Sequence, residues 1–220
     1  MKKNKNKKID NENDDEISFK IITLGDMSVG KTSIIKRFVY NTFDDHIKAT
    51  IGMAFSSYDL TLKNNKNIKL NFFDTAGQEQ YKSLTKGYFK NADGVLFVFA
   101  LNSKDTFENI ESWMKVYEES NDSFLNIPKV LVGNKNDLES VVEKKDIEKF
   151  LKKFPDFIYR SVSAKKSQDN NIKEMFQEMG EKLYENYKKT ENIKPKHIKL
   201  KDGSKSNKGC CMTKLILTNI

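Results

Sequence analysis

Cysteine is almost missing from this chain: 220 residues carry two, the adjacent pair Cys210 and Cys211. Vicinal cysteines make a poor structural staple, and no third thiol could pair with either. That excludes a disulfide-braced scaffold and fits a reducing compartment. Long apolar runs are missing as well, and the longest, Val95 to Leu101, is far too short to cross a bilayer. The opening stretch MKKNKNKKIDNENDDE lacks the apolar centre of a secretory leader and does not start Met-Gly. Neither a signal peptide nor N-myristoylation is therefore expected. Arginine is scarce, represented by Arg37 and Arg160 alone, and no internal repeat is found.

Charge is plentiful but unevenly spread. Residues 1–16 hold five lysines and five acids, whereas residues 188–220 hold nine lysines against Glu191 and Asp202. The body between them is close to neutral. The formal +8 of the whole chain therefore gives no argument for nucleic-acid binding by the folded part. The basic tail points to an anionic membrane surface, although its composition equally fits a solvated lysine-rich disordered segment. The expected organisation is a disordered charged extension at 1–17, one α/β domain at 18–187, and a basic tail with the cysteine pair at 188–220.

Within the domain, apolar runs with strand character alternate with segments of helical period. Strands are expected at Ile17 to Leu24, Ala54 to Leu62, Ile68 to Phe73, Val95 to Leu101, Lys129 to Val132 and Phe157 to Val162. The second and third form a hairpin turning at Asn64-Asn65. Helices are expected at Ser33 to Tyr40, Lys82 to Asn91, Ser103 to Glu119, Val142 to Phe154 and Asn171 to Tyr187. Ser103 is a candidate cap for the third of these. Crossover helices imply a mostly parallel sheet covered on both faces, made mixed by the hairpin.

Four motifs fall at the C-terminal ends of strands, where open α/β sheets bind ligands. The first, Gly25-Asp26-Met27-Ser28-Val29-Gly30-Lys31-Thr32, fits G-x-x-x-x-G-K-[ST] between a strand and a helix that continues at Ser33. Gly25 and Gly30 let the backbone of Asp26, Ser28 and Val29 curl so that its N–H groups face phosphate oxygens. Lys31 adds a point charge, and the Thr32 hydroxyl can ligate Mg²⁺. In Asp74-Thr75-Ala76-Gly77-Gln78-Glu79, Asp74 can hold Mg²⁺ through water, the Gly77 N–H can meet a terminal phosphate, and Gln78 can orient an attacking water. In Asn134-Lys135-Asn136-Asp137, the Asp137 carboxylate can accept two adjacent donors, which guanine presents and adenine does not. Ser163-Ala164-Lys165 can offer a backbone N–H to a base oxygen. Each pattern is weak alone; in this order and spacing they are specific.

GDMSVGKT, Thr50 in ATIG, DTAGQE, NKND and SAK together resemble the Ras superfamily of small GTPases over about residues 18–187. Within it, RFVYNTFDDHIKATIGMAF, KLNFFDTAGQEQYKSLT, GYFKNADGVLFVF and the cysteine pair are most similar to the Rab branch. The resemblance implies an α/β P-loop fold with a six-stranded mixed sheet and five helices, and a GTP/GDP switch with Mg²⁺. It implies that Thr50 and Gly77 hold the γ-phosphate and that Lys31, Thr50 and Gln78 serve hydrolysis. Phe43 and Lys135 would flank the guanine and the Ala164 amide would meet its oxygen. Exchange factors, activating proteins and effectors would dock on the switch regions. A lipidated Cys210/Cys211 tail would hold a monomer on the cytosolic face of intracellular membranes, Golgi or endosomal among them.

Several positions depart from the pattern. Met27 and Ser28 stand where the family often has small residues, Ile47 where relatives often have tyrosine, Ala54 where Rab proteins carry an acid, and Phe73 where they carry tryptophan. Gln80-Tyr81 replaces Arg-Phe, and MTKLILTNI follows Cys211. Met27 leaves open a GTP-binding scaffold with negligible turnover. The C-terminus leaves open a soluble small GTPase working off membranes.

Overall fold

The computed structural model describes residues 16–46, 49–77, 87, 89–120, 127–166 and 170–193. Six strands form one sheet: β1 (Ser18–Leu24), β2 (Met53–Thr61), β3 (Asn67–Thr75), β4 (Gly94–Ala100), β5 (Lys129–Asn134) and β6 (Phe157–Ser161), in the order β2-β3-β1-β4-β5-β6. Only β2 runs antiparallel, pairing with β3 through the expected hairpin. Every residue of β4 is buried, as a central parallel strand covered on both faces must be. β2, at the sheet edge, is exposed along most of its length.

The helical segments are α1 (Lys31–Tyr40), α2 (Lys104–Glu108), α3 (Ile110–Glu118), α4 (Lys144–Lys153) and α5 (Asn171–Ile193). The helix expected from Ser103 to Glu119 is thus two, divided at Asn109, whose N–H is shared between the Asp105 and Phe107 carbonyls. Ser103 makes no side-chain cap. Instead the Thr106 hydroxyl donates to the Ser103 carbonyl at 2.8 Å and accepts the Ala100 N–H at 3.0 Å, tying the helix start to the end of β4. α5 continues six residues past the expected end at Tyr187. Of the helix expected at Lys82 to Asn91, Gly87 and Phe89 are helical, Lys90 and Asn91 form a turn, and the remaining residues lie outside the described ones.

Apolar side chains pack on both faces of the sheet. On one, α1 and α5 meet in an aromatic cluster in which the Phe38 ring lies 4.3 Å from Phe176 and 4.4 Å from Tyr58. On the other, Ile110, Trp113, Met114 and Tyr117 of α3 and Ile147 and Phe150 of α4 cover Phe97 and Phe99. Fully burying one such side chain contributes roughly 1.5–3 kcal/mol, so the two layers hold the strand ends in a fixed relation. In the β1–β3 ladder Thr23 stands opposite Asp74, and in the β4–β5 ladder Ala100 stands opposite Asn134. The loops that follow these strands share one edge of the sheet.

Candidate functional site

A cavity of about 440 Å³ opens along that edge, from Ser28, Lys31 and Thr32 at one end to Lys135, Asp137 and Lys165 at the other. Its floor is the loop between β1 and α1. Gly25 adopts φ +144°, and a Cβ there would sit 2.0 Å from the Val98 carbonyl oxygen, so no larger residue fits the turn. Gly30, left-handed at φ 100°, passes the chain into α1, whose N-terminus faces the cavity.

Lys31 is only 6% exposed. Its ammonium donates to the Gly25 and Asp26 carbonyls, each at 2.9 Å. An ammonium has three N–H donors, so one remains for the cavity. Burial lowers its pKa to about 8, against the opposing pull of Asp74 and Asp26.

Three oxygens converge beside it. The Thr32 hydroxyl donates to Asp74 Oδ2 at 2.5 Å and lies 2.8 Å from the Thr50 hydroxyl, which itself approaches Oδ2 at 3.4 Å. Thr50 comes from the loop before β2, drawn in where the Ala76 N–H donates to the Gly52 carbonyl at 2.9 Å. Thr23, opposite in the β1–β3 register, donates to Asp74 Oδ1 at 3.1 Å, and Thr75 donates to the Thr23 carbonyl at 2.7 Å. Burial raises the Asp74 pKa, while the Thr32 bond, the Lys31 charge and the Thr23 and Thr50 bonds pull it back. Among the described residues no three His, Cys, Asp or Glu side chains cluster to hold a metal. Two hydroxyls and one carboxylate instead suit Mg²⁺, which keeps waters and shares its coordination with substrate phosphates.

At the far end, the Ser163 hydroxyl donates to Asp137 Oδ1 at 2.6 Å and accepts the Lys166 N–H at 3.0 Å. The carboxylate is oriented with acceptor capacity to spare. Lys135, left-handed at φ 66°, lines the wall with Phe43 and Ala164, and the Lys165 ammonium stands 5.9 Å from the Phe43 ring centre. Lys165 also pairs with Asp45 at 2.9 Å.

Some expected residues are placed differently. Asn134 is buried, and its amide donates to the Val29 carbonyl at 2.7 Å and accepts the Ala164 N–H at 3.2 Å. It braces two loops and leaves the Ala164 amide already engaged. The Asp26 side chain turns out of the cavity, accepting from Trp113 Nε1 at 2.8 Å and Asn109 Nδ2 at 2.9 Å. Arg37 also points away, donating to the Ala164 carbonyl at 2.9 Å and the Lys165 carbonyl at 3.2 Å. Arg160 pairs with Glu178 of α5. Gly77 and the half-exposed Met27 line the cavity. Ile47, Gln78, Gln80, Tyr81, Cys210 and Cys211 lie outside the described residues. Thr23, Trp113 and Asn109 went unnoticed in the sequence. A threonine inside a buried strand run was the only signal for the first, and the lone tryptophan on an apolar stripe the only one for the second.

A sequence model of the Ras family matches residues 20–185. The chain belongs to the Ras family. It is 34% identical over 213 residues to the Ras-related protein RABA1c of Arabidopsis thaliana, covering 90% of this chain and 96% of that one. It is 32% identical over 216 residues to the Ras-related protein YPTC6 of Chlamydomonas reinhardtii, covering 91% and 97%. To the GTP-binding protein ypt5 of Schizosaccharomyces pombe it is 36% identical over 170 residues, covering 76% and 78%. The chain is accordingly a Rab-like small GTPase, one that binds and hydrolyses GTP and acts in vesicle traffic. Among the described residues no helix is long and apolar enough to cross a membrane.

Proposed function

We propose that this GTPase is a Mg²⁺-dependent switch in which the Thr50 loop reports the γ-phosphate. The observation that carries this reading is the convergence of the Thr32, Thr50 and Asp74 oxygens beside Lys31, across one cavity from an Asp137 braced by Ser163. Asp137 accepts the guanine N1–H and 2-amino group, and Phe43 and Lys135 flank the base. The N–H groups of the phosphate loop and the start of α1 cradle the phosphates, and the third Lys31 N–H reaches the outer ones. Thr32 and Thr50 would hold Mg²⁺ directly and Asp74 would hold it through water. The ion, when bound, neutralises charge that builds on the transferring phosphoryl group. Gln78 orients the attacking water while Thr50 and Gly77 hold the γ-phosphate. Once that phosphate leaves, the loops carrying Thr50 and Gly77 lose a shared ligand and relax.

Effectors, exchange factors and activating proteins read this difference on the switch surface, where Ile51 and Phe55 are exposed apolar residues. The tail at 188–220, with lipid on Cys210 and Cys211, holds the monomer on the cytosolic face of intracellular membranes, with Golgi and endosomal membranes the candidates. Nucleotide competition tests the core of the proposal. GTP and GDP should displace a fluorescent guanine nucleotide, ATP should not, and chelating Mg²⁺ should speed release. Displacement by ATP as effective as by GTP would overturn it.

A further inference from the structure

We propose that Asp26 is a positioning residue that locks the phosphate loop to the α2–α3 junction, with Trp113 and Asn109 as the lock. The second residue of the loop points its carboxylate away from the cavity, and both oxygens are taken. Oδ1 accepts the Trp113 indole N–H at 2.8 Å, and Oδ2 accepts the Asn109 amide at 2.9 Å. Trp113 is 1% exposed within the layer of α3, so its indole is fixed by packing before it meets Asp26. Asn109 is the residue at which α2 and α3 divide.

The peptide of the same residue does the work in the cavity. The Asp26 carbonyl is one of the two that hold the Lys31 ammonium. With two donors fixed on carbonyls, the direction of the third is set by where those carbonyls stand. The backbone of Gly77 presses on the same peptide: a Cβ on Gly77 would lie 2.5 Å from the Asp26 carbonyl carbon and oxygen and from Lys31 Nζ. One peptide thus joins α3, the phosphate-binding lysine and the segment that follows β3. The lock keeps this peptide in place while phosphates come and go. Charged hydrogen bonds in a partly dry setting are the strong kind, which suits them to that task.

The proposal rests on the nucleotide reading above. Its test uses an exchange of partners. Asp26→Asn removes the charge from both bonds and leaves only neutral ones to Trp113 and a turned Asn109 amide, and Asn109→Asp sets two carboxylates together. Combined, they restore one charge-assisted pair of reversed polarity and leave an oxygen for Trp113. Release of N-methylanthraniloyl-GDP from the full chain is expected to quicken about tenfold in each single variant, and to return to within about threefold of the starting rate in the double variant. A merely structural role would lower thermal stability without this rescue of release. Single variants with unaltered release, or a double variant as fast as Asp26→Asn alone, would each overturn the lock while leaving nucleotide binding intact. Failure of the unsubstituted chain to bind the labelled GDP would overturn both readings together.

Discussion

The hydroxyls of Thr32 and Thr50 lie 2.8 Å apart, although one belongs to the first turn of α1 and the other to the loop before β2. A single short bond therefore records whether that loop is closed. Thr50→Ala should weaken Mg²⁺-dependent binding of a non-hydrolysable GTP analogue by about tenfold and leave GDP within about twofold. Thr32→Asn should likewise weaken the GTP state more than the GDP state. Equal losses for both nucleotides, measured by competition, would show that neither hydroxyl distinguishes them.

Asp137 is held by Ser163 at 2.6 Å, with acceptor capacity left over. Asp137→Asn should cost about 1.5–3 kcal/mol in GTP affinity and shift preference toward xanthine nucleotides, whose edge pattern is reversed. Titrations with GTP and XTP check both parts. Unchanged GTP affinity would remove base recognition from this residue.

Hydrolysis by the isolated protein should be slow. Arg37 is committed to the Ala164 and Lys165 carbonyls and Arg160 to Glu178, so among the described residues no arginine reaches the Thr32–Thr50–Asp74 end of the cavity. An arginine supplied by an activating protein should raise the rate by about 10³–10⁵. Met27, 52% exposed, lines the same cavity and should crowd such an arginine. Met27→Gly should increase the stimulated single-turnover rate by about tenfold or more, with nucleotide affinity little altered. Stimulation already at full strength with Met27 in place would contradict this.

Membrane attachment should need both lipid and charge. A single acyl chain anchors marginally, and each lysine near an anionic surface adds about 1 kcal/mol. Replacing Cys210 and Cys211 by serine should move the protein from the membrane pellet to the supernatant on cell fractionation. Full retention of that variant on membranes would refute lipid attachment at the pair.

One pH effect lies away from the nucleotide. Partial desolvation raises the Asp93 pKa from its ordinary value, offset in part by the Lys20 backbone N–H, 2.7 Å away, and by the Lys20 charge. The folded protein therefore holds this proton more tightly than the unfolded chain. Between the two pKa values the charge becomes a cost, and stability falls as pH rises through that window. Asp93→Asn keeps the acceptor and removes the charge. It should match or slightly exceed the parent in urea unfolding at about pH 7 and lose that margin as the pH falls into the acid range. A clear loss at neutral pH would show that the Lys20 pairing outweighs burial.

The sheet was legible because its strands are apolar runs bounded by the motifs themselves, and the order of those motifs placed Lys31, Thr32, Asp74 and Asp137 along one edge. Local rules failed where a distant partner decided the outcome. Ser103 has the chemistry of a cap, yet Thr106 does the tying because β4 ends beside it. Asn134 sits in the base-recognition motif, but burial against Val29 turns its amide into a brace. Asp26 is expected to offer its backbone N–H to phosphate, and nothing local marks Trp113, 87 positions away, as the partner of its side chain. Such pairings arise only once two layers have packed, and no period or spacing in the chain records them.

The Asn134 brace also bears on how the ligand leaves. One side chain ties the phosphate loop at Val29 to the base loop at Ala164, so displacement of either loop is felt by the other. A protein catalysing exchange needs to push on only one end of the cavity to be felt at the other.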